Sequence, residues 1–185
     1  MCRENLGTLM LESVLENTEL LSKRVILSAC EQYRYWLSRE LHQGEIKPIV
    51  FVMLNPSTAD GEQDDNTIRR CIDYATKWGG SHLVVVNLFA FRSPKPKVLK
   101  ASDSPVGDLC DTYIRHALEL SSRHNGIVVC AWGEDGKFIG RDRAVFEILK
   151  PHNPMAIKIN QSGAPAHPLY LKKDAVLSRM LLSIK

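Results

Sequence analysis

Four short, dominantly apolar runs follow Pro48: Ile49 to Leu54, Leu83 to Leu88, Gly126 to Trp132 and Met155 to Ile159. Runs of this length with little polar alternation predict strands buried on both faces, as in a parallel sheet covered by helices. Between the runs the apolar spacing becomes helical. Ile68, Cys71, Ile72 and Ala75 form one stripe, with Asn66 or Thr67 as its cap and Gly79-Gly80 as its end. Cys110, Tyr113, Ile114 and Ala117 form a second, Ala144, Val145, Ile148 and Leu149 a third, and a last helix is expected over Asp174 to Leu182. Strand alternating with helix implies right-handed crossovers and a three-layer α/β/α sandwich with a mainly parallel central sheet.

The chain before Pro48 reads differently. Leu9 to Leu21 carries apolar residues at helical intervals, whereas Val25 to Ser28 and Tyr33 to Leu37 are strand-like. Tyr33, Tyr35 and Leu37 alternate with Arg34, Trp36 and Ser38, which favours a half-buried antiparallel strand over a helix. The expected organisation is one domain over residues 1–185, with 1–47 a helix-and-strand addition to an α/β core at 48–185. The loop from Ser93 to Pro105 is rich in Pro, Lys and Ser but too short to divide domains.

Composition narrows the class. A chain of 185 residues, 44% hydrophobic and 24% charged, is ordinary for a globular protein. A net charge of +3 permits an acidic partner without demanding one. Cysteines at positions 2, 30, 71, 110 and 130 lack the spacing of a zinc knuckle or an iron-sulfur site and read as reduced thiols. With no apolar run of membrane-spanning length and no basic-then-apolar leader, the expected compartment is the cytoplasm.

The chemistry concentrates at strand ends. In an open parallel sheet the ligand crevice lies beyond the carboxyl ends of the strands, which places Met53-Leu54-Asn55-Pro56-Ser57-Thr58-Ala59-Asp60 at its rim. Asn87 with Phe89 and Arg92, then Trp132-Gly133, then His167-Pro168-Leu169-Tyr170 close the other strand ends. Asparagines supply donors and acceptors, His167 titrates near neutrality, Arg92 suits a phosphate, and Phe89 or Trp132 suits stacking on a planar ligand. Such a set fits a nucleobase better than a small anion. Trp132 at a strand end also has the ordinary reading of packing beneath a helix, and Asn55 that of closing an Asx turn. Asp60, Asp64 and Asp65 are a candidate magnesium set or general base, with complementation of a helix dipole as the alternative. No other cofactor is expected. Arg69 and Arg70 form either a phosphate clamp or a solvated helix face, and Lys95 and Lys97 add a basic loop. Gly133-Glu134-Asp135-Gly136-Lys137 lacks the form of a P-loop.

Taken in order, Tyr33-Arg34-Tyr35, Met53 to Asp60, Asp64-Asp65-Asn66-Thr67-Ile68-Arg69-Arg70, Val86-Asn87-Leu88-Phe89-Ala90, Ala131-Trp132-Gly133 and His167-Pro168-Leu169-Tyr170 resemble the bacterial and phage domain-of-unknown-function family number 1643. More distantly, Leu54-Asn55-Pro56-Ser57 is similar to the Gly-Ile-Asn-Pro-Gly motif of the mismatch-specific branch of the uracil-DNA glycosylase superfamily, and His167-Pro168-Leu169 in part to its His-Pro-Ser motif. This second resemblance implies a uracil-DNA-glycosylase-like α/β/α fold. It implies that Asn55 positions a hydrolytic water, that His167 stabilises the departing base, and that Leu169 or Tyr170 fills the stack after a base is flipped out. Ser57 and Leu169 depart from the glycine and serine of those motifs, and cluster-forming cysteines are missing.

The leading expectation is a nucleic-acid base-processing enzyme that hydrolyses an N-glycosidic bond. Asn55, Asp65 and His167 would be catalytic. Pro56, Ser57, Asn87, Phe89, Arg92, Trp132, Gly133, Pro168, Leu169 and Tyr170 would bind substrate, and Arg69 and Arg70 phosphate. The alternatives are a non-catalytic binding module for modified bases or nucleotides, and a metal-dependent transferase acting on nucleotides through Asp60 to Asp65.

Overall fold

Strand β3 (Pro48–Met53) is the axis of the sheet, and all six of its residues are buried because both of its faces and both of its edges are covered. The computed structural model describes residues 19–22, 25–57, 63–172 and 174–181. A short helix α1 (Glu19–Ser22) leads into β1 (Val25–Leu27) and β2 (Arg34–Glu40); after β3 come α2 (Asn66–Lys77), β4 (His82–Asn87), α3 (Pro96–Lys100), α4 (Cys110–Arg123) and β5 (Ile127–Cys130). A 3-10 segment (Glu134–Gly140), α5 (Arg141–Leu149), a 3-10 turn (Lys150–His152), β6 (Met155–Ala156), a second 3-10 turn (Pro168–Tyr170) and β7 (Ser178–Arg179) follow among the described residues. The expected strand over Tyr33 to Leu37 is thus β2, but it is buried on both faces rather than half-buried.

The seven strands pair in the order β1-β2-β4-β3-β5-β6-β7. The central four are parallel, with Met53 beside Asn87 and Val52 beside Cys130. β1 and β2 add antiparallel strands on one side and β7 on the other. One face, built from Val50, Val52, Val84 and Val86, packs against α4 and α5. The opposite face, built from Ile49, Phe51, Leu83 and Val85, packs against Ile68, Cys71, Tyr74 and Ala75 of α2. This is the three-layer α/β/α arrangement expected from the apolar runs.

Two expectations are corrected. Asp174 to Leu182 is no helix over its described part: Ser178 and Arg179 pair with β6, and Met180 donates its N–H to Pro154 O at 2.8 Å. Ala175 and Leu177 pack with the α2 face while Met180 enters the α4 face. Residues three apart would share one side of a helix, so only an extended chain sends Leu177 and Met180 to opposite layers. The reading of five reduced thiols is also corrected, since Cys30 is disulfide-bonded; Cys71, Cys110 and Cys130 are free and buried. The expected helix over Leu9 to Leu21 lies largely outside the described residues. No helix among the described residues is long and apolar enough to cross a membrane.

Close approach demands glycine where β5 starts beside β3. A Cβ on Gly126 would stand 2.3 Å from the Pro48 carbonyl oxygen and 2.8 Å from Ser121 Oγ. Gly126→Ala is therefore expected to destabilise the fold by about 2 kcal/mol, the scale of overpacking in a rigid site. Urea denaturation checks this, and an unchanged midpoint would contradict the packing argument.

Candidate functional site

The connection from β3 to β4 runs through α2 on one face, and that from β4 to β5 runs through α4 on the other, passing across β3. Chains that leave neighbouring strands in opposite directions part at their carboxyl ends and leave a crevice there. A cavity of about 400 Å³ opens at this point, walled by Met53, Leu54, Asn55 and Ser57 after β3, Asn87 at the end of β4, and Trp132 to Asp135 after β5. The start of α2 and the His167 to Tyr170 turn complete it.

Asn55 is a clamp. Its Nδ2 donates to Ser93 O at 2.8 Å, Pro56 O at 3.0 Å and Phe91 O at 3.3 Å, which ties the end of β3 to the loop after β4. With the amide nitrogen so committed, Oδ1 is the group that Asn55 has left to offer a ligand. Ser93 is fixed from the other side, its N–H donating to Pro56 O at 2.8 Å.

Asp65 caps α2. Its Oδ1 accepts from Ile68 N at 2.8 Å, so the cap lies one residue before the expected Asn66 or Thr67, and the carboxylate also borders the cavity. The preceding residue is anchored, with Arg39 Nη2 2.7 Å from Asp64 Oδ1. Asp64 is therefore a structural partner of β2, and Asp60 lies outside the described residues. Among the described residues no three His, Cys, Asp or Glu are placed to share a metal ion.

His167 Nδ1 accepts from Leu169 N at 3.4 Å, which places the proton of the neutral ring on Nε2 and makes that atom a donor. Burial pushes the imidazole below its ordinary 6.5, partly opposed by the nearby Asp65 carboxylate. Glu134 behaves oppositely: Ser162 Oγ at 2.7 Å and Asn160 Nδ2 at 2.8 Å donate to its Oε1 and hold its carboxyl below the usual range.

Asn87 is 4% exposed, and both its Nδ2 and its Oδ1 are buried without a hydrogen-bond partner. An amide in that state forfeits about 1–3 kcal/mol per unsatisfied group unless a ligand or water completes it. Beside it stands a residue the sequence reading did not place in the site. Arg34, 3% exposed, borders the same cavity. Ile26 faces Trp36 but Leu27 faces Arg34, so Tyr35 is an extra residue in β2. Tyr35 and Trp36 consequently both enter the α4 side of the core, and Arg34 turns toward the cavity. Such re-aiming is what a bulge does. The available signal was a lone arginine inside the aromatic run Tyr33 to Trp36.

Not every expected residue reaches the cavity. Ser57, Asn87, Trp132, Gly133, Leu169 and Tyr170 border it with Asn55, Asp65 and His167. Trp132 is 2% exposed and packs so tightly on Gly136 that a Cβ there would meet its ring at 2.1 Å, which makes it a wall rather than an open stacking face. Phe89 is fully buried, with its ring 5.7 Å from that of Phe138, and so is no stacking platform. Pro56 and Pro168 are buried outside the lining and shape the turns. Arg92 donates to Glu31 O at 3.0 Å, and Arg69 donates to Asp64 O and Asn66 Oδ1 on the exposed start of α2. Arg70, one residue on, is also outside the lining. A clamp by Arg69, Arg70 and Arg92 on a ligand in the cavity is thus not formed. The free thiols give no nucleophile, because burial raises all three, Cys110 to about 11.

The family model for Protein of unknown function (DUF1643) matches residues 34–169, from the cavity arginine to Leu169 in the His167 to Tyr170 turn. The chain belongs to the DUF1643 family. No curated protein and no solved structure matches it. In this DUF1643 protein every residue named above as bordering the cavity, Tyr170 excepted, lies inside the matched span.

Two measurements probe the site's construction. Asn55→Asp places a carboxylate among three carbonyl oxygens and is expected to destabilise by more than Asn55→Ala, itself about 1–3 kcal/mol; equal melting temperatures for both variants and wild type would contradict the clamp. The unfolded chain protonates His167 before the folded one does, because the folded ring is depressed below 6.5. Its contribution to stability is complete above pH 6.5 and is lost as pH falls through the folded value. His167→Asn, which keeps an acceptor for Leu169 N–H, is expected to remove that part of the acid slope in denaturation midpoints measured between pH 7 and 4.

Proposed function

We propose that this DUF1643 protein is a nucleic-acid base-processing enzyme, similar to DNA glycosylases, that hydrolyses the N-glycosidic bond of an unusual base. The observation that carries the reading is Asn87: an amide buried in the crevice with donor and acceptor both unmet matches the paired donor and acceptor on the edge of a base. Arg34 sets a guanidinium on the wall of the same cavity. The parallel sandwich, with one site loop after its first parallel strand and another near the chain end, supports the likeness to the uracil-DNA glycosylase superfamily.

The remaining groups supply a consistent chemistry. Asn55 Oδ1 and the Asp65 carboxylate accept hydrogen bonds from a water. Its oxygen attacks the anomeric carbon, Asp65 takes its proton, and the bond to the base nitrogen breaks with the electron pair leaving on the base. Neutral His167 donates from Nε2 as negative charge builds on the base, which suits a ring held uncharged by burial. The commitment of Asn55 Nδ2 to three backbone carbonyls, with Ser57 and Leu169 in place of glycine and serine, supports the rival reading of a module that binds a base without cleaving it.

The test is incubation with oligonucleotides bearing uracil, hypoxanthine or 5-hydroxymethyluracil, followed by alkali cleavage and mass analysis. Abasic product is expected, with Asp65→Asn lowering turnover by about 10²–10⁴ at retained binding and Asn87→Ala weakening binding by about 1–3 kcal/mol. Tight binding with unchanged mass would replace hydrolysis by the binding module. No binding at all would remove the base reading.

A further inference from the structure

Ile139 has φ 48° and ψ 25°, a left-handed conformation that a β-branched side chain adopts only under strain. It is also 64% exposed, so burial returns nothing for that strain. Strain of this kind persists where the surrounding structure imposes it, and it gathers at sites of function.

Its surroundings join the cavity mouth. The preceding Phe138 packs on Phe89 and lies 6.0 Å beneath the Lys100 ammonium, and Lys100 pairs with Asp135 at 2.6 Å. This ties α3 to the 134–140 segment. Asn160 and Ser162 hold Glu134, and Gly133 N donates to Pro165 O at 2.9 Å, which ties the same segment to the loop that carries Tyr170. Val98 (49%), Ile139 (64%) and Tyr170 (84%) are three of the five exposed large hydrophobics among the described residues; Tyr170 borders the cavity, and Val98 and Ile139 lie on the two segments, α3 and 134–140, whose Pro96 and Asp135 also border it. Exposed Lys95, Lys97 and Lys137 accompany them and make no ion pair among the described residues. Asp135 pairs with Lys100, and Glu134 accepts from Asn160 and Ser162 while the nearby Lys137 charge also lowers its carboxyl.

We infer that this rim is the contact surface for a polynucleotide strand, with Ile139 and Tyr170 against the bases that flank the cavity and Lys95, Lys97 and Lys137 on the phosphates. The inference rests on the base-processing reading and specifies its substrate as a strand rather than a free base or nucleoside. Apolar and aromatic groups interleaved with exposed lysines are what strand binding requires, since bases stack on the former and counterions are released at the latter.

The experiment measures binding of a fluorescein-labelled single-stranded 12-mer containing one hypoxanthine by anisotropy, roughly the span of one strand-binding groove, and binding of inosine by calorimetry. Wild type, Ile139→Gly and the double variant Lys97→Ala/Lys137→Ala are compared. Glycine is at ease at this φ, so Ile139→Gly is expected to raise the melting temperature, to weaken the 12-mer about ten-fold, and to leave inosine unchanged. The lysine variant is expected to reduce the slope of log affinity against log salt by about 1.4. Wild-type affinity in Ile139→Gly together with an unchanged slope in the lysine variant would overturn the inference. Should Ile139→Gly not fold, the lysine slope decides alone. Inosine binding with no tighter capture of the 12-mer removes the rim but keeps the cavity reading; failure of both ligands removes both.

Discussion

Three backbone carbonyls converge on one side-chain nitrogen at the end of the central strand, and the geometry of the crevice depends on that convergence. Asn55 binds the chain that leaves β3 to the chain that leaves β4, so two loops that emerge side by side move as one body. With the Ser93 N–H on Pro56 O and the Phe89 N–H on Leu54 O, Asn55 sets the distance of Ser93, Pro94 and Pro96 from the opposite wall at Trp132 and Gly133. Arg39 does the corresponding work for the start of α2 through Asp64, and this places Asp65 as both helix cap and cavity wall.

Against that rigid frame, the unmet amide of Asn87 stands out. Valines occupy the three positions before it in β4, all buried, and an apolar residue at 87 would pack without cost. The polar choice accords with the proposal that the cavity takes a ligand with a matching edge. The electrostatics agree: burial favours neutral His167, Arg34 brings a guanidinium to the wall, and neighbouring donors favour the ionised form of Glu134. Ile139 repeats the argument at the surface, where backbone strain takes the place of a missing hydrogen bond.

Much of this was legible in the chain. The apolar runs around Val50, Val84 and Val128 gave the parallel strands, and the stripe from Ile68 to Ala75 gave the helix that covers one face. The loops bearing Asn55, Asn87, Trp132 and His167 were correctly placed at one end of the sheet. What failed depended on distant partners. Met155 to Ile159 shortens to a two-residue strand because only Met155 and Ala156 find pairing on both sides, and the segment after Asp174 becomes β7 because that edge was open. Arg34 went unassigned because a bulge of one residue reverses its face, and the lone arginine in the aromatic run Tyr33 to Trp36 does not by itself reveal a bulge. Phe89 and Arg92 were drawn to the site by sequence proximity to Asn87, whereas packing on Phe138 and a bond to Glu31 turn them elsewhere.

Whether the Asn87 side chain reads the edge of a base, as proposed, is decided by nuclear magnetic resonance of its amide group, assigned by its loss in Asn87→Ala, during titration with hypoxanthine and with uracil. A saturable downfield shift of the Asn87 amide protons is expected, larger than any change in the committed amide of Asn55. A saturable response elsewhere in the protein with Asn87 unmoved, or no response at all, would contradict the proposal.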